Sequence, residues 1–133
     1  MKMSTKGRYA LRVMTDLADN YNKGYVSLKD IALRQEISVK YLESIISDLI
    51  KSNLIISQHG KYGGYKLAKS PDLITAKDVI IGAEGELIPV FCSGDSSLCK
   101  RSGFCKTYPV WKDFYKLVND YFEGITLEDI LKK

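Results

Sequence analysis

Residues 27–68 constrain the fold of this chain more than any other stretch. Ser27 followed by Asp30 is an S-x-x-D start signal, and Leu28, Ile31 and Ala32 carry the helix behind it to about Gln35. The turn Glu36-Ile37 leads to Ser38, a second capping residue. Behind it Leu42, Ile45, Ile46, Leu49 and Ile50 recur at helical spacing as one apolar stripe, with Lys40, Glu43, Ser44, Ser47 and Lys51 on the opposite face. After Asn53 come two strand-like runs, 54–58 and 65–68. The segment His59-Gly60-Lys61-Tyr62-Gly63-Gly64 joins them and reads as the tip of a β-hairpin.

A further helix precedes this block. Ser4 or Thr5 can cap it, Ala10, Val13, Met14, Leu17, Ala18 and Tyr21 form its apolar face, and Lys23-Gly24 ends it. Helix, helix, helix, hairpin in this order is the layout of a winged helix-turn-helix. The fold class expected is therefore mainly α with a small β-hairpin.

Beyond Pro71 the pattern changes. Thr75 and Asp78 are spaced as another capping box, for a short helix with Val79, Ile80 and Ala83. Gly82, Gly85, Pro89, Ser93, Gly94, Ser96, Ser97 and Gly103 mark an irregular segment, which contains all three cysteines. Thr107 as cap and Pro109 open a long helix whose apolar positions are Val110, Trp111, Phe114, Leu117, Val118, Tyr121 and Phe122. Gly124 closes it, and Thr126-Leu127-Glu128-Asp129 caps a last turn. Two functional regions are expected in one compact unit: 1–71 as the helix-turn-helix and wing, and 72–133 as cysteine loop and long helix.

Charge separates the same two regions. Residues 1–71 hold 12 Lys and Arg against 6 Asp and Glu, a net of +6, whereas 72–133 hold 8 against 10, a net of −2. A basic half beside a mildly acidic one suggests that the first part meets a polyanion. No apolar run reaches the length of a membrane span, and no apolar signal region follows the first residues, so the expected compartment is the cytoplasm. No metal-hydrolase or nucleotide motif is present, and His59 has no nucleophile near it in sequence, so an enzyme is not expected. The wing glycines are not a phosphate-binding loop, because they lie between strands and no Lys-Ser/Thr ending or helix follows them.

Major-groove readout uses the N-terminal turns of a recognition helix. Here those turns offer Ser38, Val39, Lys40, Tyr41, Glu43 and Ser44. Lys40 can reach a phosphate or a guanine edge, and Glu43 can accept from a cytosine amino group. Gly60 permits close backbone approach at the wing tip, while His59, Lys61 and Lys66 add reach towards phosphates or a minor groove. Double-stranded DNA is the partner these residues point to.

Several runs then identify a relationship. Lys6-Gly7-Arg8-Tyr9-Ala10-Leu11-Arg12, Ser27-Leu28-Lys29-Asp30-Ile31-Ala32, Ser38-Val39-Lys40-Tyr41-Leu42-Glu43, Gly63-Gly64-Tyr65-Lys66-Leu67 and Ile125-Thr126-Leu127-Glu128-Asp129 resemble the Rrf2 family of winged-helix transcription regulators, over nearly the whole chain. The resemblance implies a homodimer on a roughly palindromic operator, with the helix from Pro109 to Glu123 as dimerisation helix. It also implies a transcription regulator, repressor or activator, in which three cysteines hold an iron–sulfur cluster. The chain departs from the family in three places. His59 stands where several relatives have a wing arginine. Tyr108 stands where a histidine ligand often follows the cysteines, and Arg8 stands where some nitric-oxide-sensing relatives have an acidic ligand.

The cysteines are spaced Cys92-x6-Cys99-x5-Cys105. An odd count without a secretion signal argues against a disulfide framework, and the spacing lacks the C-x-x-C pairs of a zinc knuckle. Three thiolates on a loop rich in glycine and serine suit a cluster, 2Fe–2S or 4Fe–4S, with Lys100, Arg101 and Lys106 offsetting its charge. Solvent, Glu84, Glu86 or Asp95 can supply the remaining position. A metal-free thiol redox switch, zinc with a carboxylate, and control by a partner protein are the alternatives.

Overall fold

The computed structural model describes residues 2–133. Helix α1 spans Thr5–Asp19 and begins at Ser4, whose hydroxyl accepts from the Gly7 N–H at 3.0 Å. Its face of Ala10, Val13, Met14, Leu17 and Ala18 is buried, as the spacing requires. Tyr21 falls beyond the helix, in a 3-10 turn at Tyr21–Lys23, and still packs against the core. Gly7 lets the Glu84 carboxylate lie against this first turn, where it accepts from the Ser4 hydroxyl at 2.6 Å.

Helices α2 (Leu28–Gln35) and α3 (Val39–Lys51) form the helix-turn-helix. Ser27 caps α2 by accepting from the Asp30 N–H, and Ser38 caps α3 by accepting from the Tyr41 N–H. At Ser27 only this half of the expected capping box is formed. Glu36, at φ 54, makes the left-handed turn between the two helices. Leu42, Ile45, Ile46 and Leu49 are buried. Ile50, expected in the same stripe, is 37% exposed, because its position lies at the edge of that face, next to the wing strand.

The hairpin pairs β1 (Ile55–Gln58) with β2 (Gly64–Leu67), in the antiparallel register Ile55↔Leu67 to Gln58↔Gly64. A bridge between Val26 and Tyr65 docks it beside the start of α2. Each of these two residues donates its N–H to the other's carbonyl at 2.8 Å.

Helix α4 (Ala76–Glu84) starts on a complete Thr75–Asp78 capping box. A short α5 (Phe91–Gly94) and a 3-10 turn at Ser96–Leu98 interrupt the segment expected to be irregular throughout. Helix α6 spans Tyr108–Glu123, and α7 (Leu127–Leu131) starts on a complete Thr126–Asp129 box. Ile74, Val79, Ala83 and Leu127 join the residues of α1, α2, α3 and the hairpin in one core, so packing crosses the 71/72 boundary. Ile80, Leu87 and Val118 make a smaller cluster beneath α6, with Phe114 and Phe122 against it.

A polar network ties α1 to the helix-turn-helix. Asp16 is buried, and Arg34 donates to its two oxygens at 2.8 and 2.9 Å, while Gln35 Nε2 donates at 2.9 Å. The bond to Asp16 raises the Arg34 pKa further. Arg12 donates to the Gln35 backbone carbonyl, and at 3.3 Å to its side-chain oxygen. A charge inside an apolar interface is tolerated only when so paired. The network holds the last turn of α2 directly before the chain bends into α3.

Candidate nucleic-acid interface

The first turns of α3 stand clear of the core. Ser38, Val39, Lys40, Tyr41, Glu43 and Ser44 are all exposed, while Leu42 between them is fully buried. The amphipathic pattern dictates this, because the stripe that binds α3 to the core turns the remaining faces outward. Tyr41 packs edge-on against Tyr9 of α1, ring centroids 5.9 Å apart, and the Arg12 guanidinium lies 5.0 Å from the Tyr9 ring.

The wing brings the second group of expected residues to the hairpin tip. His59, Gly60 and Lys61 are exposed. Lys66 is half-buried on β2, opposite Ile56, with its ammonium 5.4 Å from the Tyr25 ring. Tyr65 lines a groove with Glu43, Ser47 and Lys51 of α3, so wing and recognition helix flank one surface. Tyr62, at the tip, is 81% exposed and was not singled out by sequence reasoning. An aromatic among glycines reads as a strand-end residue until the turn is known.

The cysteine segment lies against α6. Cys92 on α5 is buried, Cys99 and Cys105 are partly exposed, and all three thiols are free. Helix α5 packs on α6, and Asn119 of α6 donates to the Leu87 carbonyl at 3.0 Å, fixing the long helix to the chain that leads into the segment. Thr107 does not cap α6 as expected. Its own backbone is already helical (φ −92, ψ −13), and its hydroxyl lies 3.3 Å from Cys105 Sγ. That hydroxyl, then the backbone N–H groups of Thr107 and Tyr108, hold the Cys105 thiol below its ordinary pKa; burial opposes them, by more than the nearby Arg101 charge assists. Soft thiol donors suit an iron–sulfur cluster. Among the described residues, no three His, Cys, Asp or Glu side chains are gathered into a set that could hold a metal ion. The donor chemistry therefore fits a cluster, while the thiols as folded here are not drawn into one ligand set. Tyr108 is the first residue of α6 and half-buried.

On α6 itself Val118 and Asn119 are buried, whereas Val110, Leu117 and Tyr121 are 59%, 66% and 56% exposed. The latter three fall on one stripe at i, i+7 and i+11. Among the described residues no helix is long and apolar enough to cross a membrane.

Known proteins share this arrangement. Residues 3–133 match the family model described as "Rrf2: Iron-dependent Transcriptional regulator". The HTH-type transcriptional regulator CymR of Bacillus subtilis is 40% identical over 130 residues, which are 98% of this chain and 89% of that protein. Protein rrf2 of Nitratidesulfovibrio vulgaris is 38% identical over 132 residues, 99% of this chain and 88% of that one. The solved structure of IscR from T. potens superposes with a TM-score of 0.81 at 39% identity, covering 99% of this chain and 87% of that one. The family description and the name of CymR are both those of a transcriptional regulator, not of an enzyme.

Proposed function

This chain belongs to the Rrf2 family of transcriptional regulators, and from that premise we propose that it acts in the cytoplasm as a homodimeric, sequence-specific repressor of a palindromic operator. The observation that carries this reading is the exposure of the first turns of α3 beside a wing docked through Tyr65. Ser38, Val39, Lys40, Tyr41, Glu43 and Ser44 enter the major groove, while His59, Gly60, Lys61 and Lys66 reach phosphates or the adjacent minor groove. Residues 1–71 supply the DNA-binding surface, and 72–133 supply sensor and dimer contacts. The exposed stripe Val110, Leu117 and Tyr121 is the face of α6 that meets a second copy.

The sensor is the cysteine segment. Cys92, Cys99 and Cys105 would hold an iron–sulfur cluster, which when bound supplies a centre sensitive to oxidants and nitric oxide. Support comes from the number and type of donors and from the iron dependence in the family's description. This chain's own residues link that segment to the dimer: α5 packs on α6, and Asn119 holds α6 to Leu87. A change in the segment then alters the spacing of two recognition helices that must fit one duplex. Anaerobic purification followed by iron and sulfide assays and an absorption spectrum tests this. Stoichiometric iron and sulfide, lost in Cys99→Ser, are expected; a colourless, iron-free protein after reconstitution contradicts it.

A metal-free thiol switch is the second reading. It is favoured by three free thiols of unequal exposure, and by a solved relative, the CymR of Staphylococcus aureus, whose structure is known in an oxidized form.

A further inference from the structure

We propose that Tyr62, at the apex of the wing, is a specificity-determining DNA contact that discriminates A·T from G·C pairs in the minor groove. This rests on the reading of the chain as a winged-helix DNA-binding protein.

The backbone fixes where Tyr62 stands. The Gly63 N–H donates to the Gly60 carbonyl at 3.1 Å, closing a turn in which Lys61 and Tyr62 are the two central residues. Gly60 has φ 106, a conformation that disfavours a side chain. A Cβ on Gly63 would lie 2.1 Å from the Gln58 carbonyl oxygen, so the turn folds back tightly onto β1. The apex is therefore held by contacts between backbone atoms, and its two side chains project from the end of the hairpin.

Chemistry then distinguishes Tyr62 from its neighbours. It is the most exposed of the large hydrophobic side chains among the described residues. Exposure of one aromatic alone is ordinary; here it coincides with a held apex and a paired cation. The Lys61 ammonium lies 5.6 Å from the ring centroid, within reach of a cation–π attraction, so the two side chains form one amphipathic tip. The minor groove is narrow and presents purine N3 and pyrimidine O2 acceptors at every pair. Guanine adds an N2 amino group that fills the floor. A phenol can pack its ring along the groove wall and donate its O–H to N3 or O2 where that amino group is absent. The ammonium beside it is drawn to the phosphates that flank the groove, whatever the sequence between them. Lys61 thus supplies affinity, and Tyr62 supplies discrimination.

The test uses the full chain and a duplex enriched by the wild-type protein from a random-sequence pool. Hydroxyl-radical footprinting locates the pairs under the wing, which are then made A·T, G·C or I·C; inosine lacks the amino group. Wild type is expected to bind the A·T and I·C duplexes about tenfold more tightly than the G·C duplex. Tyr62→Ala should bind all three alike, and Tyr62→Phe should retain part of the difference. Lys61→Ala should weaken all three and lower the salt slope while keeping the ratios. Tyr62→Ala with wild-type ratios overturns the assignment alone. A wild-type protein that enriches no duplex overturns the DNA-binding reading as well.

Discussion

Cys105 shows how a few neighbouring atoms set the behaviour of one side chain. The Thr107 hydroxyl and two backbone N–H groups stabilise its thiolate, and Arg101 adds a favourable charge. Cys92, three residues after Pro89, is buried in α5. In the metal-free protein Cys105 should thus alkylate with iodoacetamide faster than Cys92, with a pH midpoint below that of a free thiol. Because the thiolate is the reactive form, lowering the pKa raises the rate at neutral pH. Thr107→Val should move the midpoint upward, and mass spectrometry of timed samples reads both effects. Equal rates at all three cysteines would show that the local contacts do not govern reactivity. None of this was legible beforehand, because Thr107 reads as a helix cap and takes another role only once its backbone is helical. Asp16 was missed for a related reason. It lies among the apolar positions of α1, and its partners Arg34 and Gln35 come from a different helix.

At the scale of elements, the caps and stripes of α1, α2, α3, α4 and α7 were readable, since short-range spacing decides them. Ser4, Ser27, Ser38, Thr75 and Thr126 each accept from the backbone N–H three residues on. The hairpin was readable too, from its glycines and β-branched residues. Helix α5 was not, because Phe91-Cys92-Ser93-Gly94 is too short to show a period and is held by packing on α6. The docking of the wing was equally hidden. Gly64 has φ 151, and a Cβ there would lie 2.3 Å from the Val26 carbonyl oxygen. Gly64→Ala should consequently break the Val26–Tyr65 bridge and loosen the wing from α2. Operator affinity is expected to fall about tenfold or more, on the scale of one lost DNA contact set. The far-UV circular dichroism should remain that of the folded protein, since the core stays packed. Unchanged affinity would mean that the wing's attachment to α2 does not matter for binding.

For the molecule as a whole, the decisive features are an exposed face on the first turns of α3 and an exposed apolar stripe on α6. Both were visible in the sequence as patterns. The structure sharpened the second by dividing α6 into Val118 and Asn119, which its own chain buries, and Val110, Leu117 and Tyr121, which it leaves open. Whether the cysteines gather was not legible, because loop spacing does not determine distance. Two copies joined through α6 would present two α3 helices to half-sites about one helical turn, or a multiple of it, apart. The most direct measurement is the stoichiometry and affinity, by sedimentation and fluorescence anisotropy, of wild type and Leu117→Asp on a duplex enriched from a random pool. The expected result is a palindromic sequence bound by two wild-type chains, with the Leu117→Asp protein monomeric, folded and at least about a hundredfold weaker. One chain per non-palindromic duplex, or a Leu117→Asp protein that binds as tightly as wild type, would contradict it.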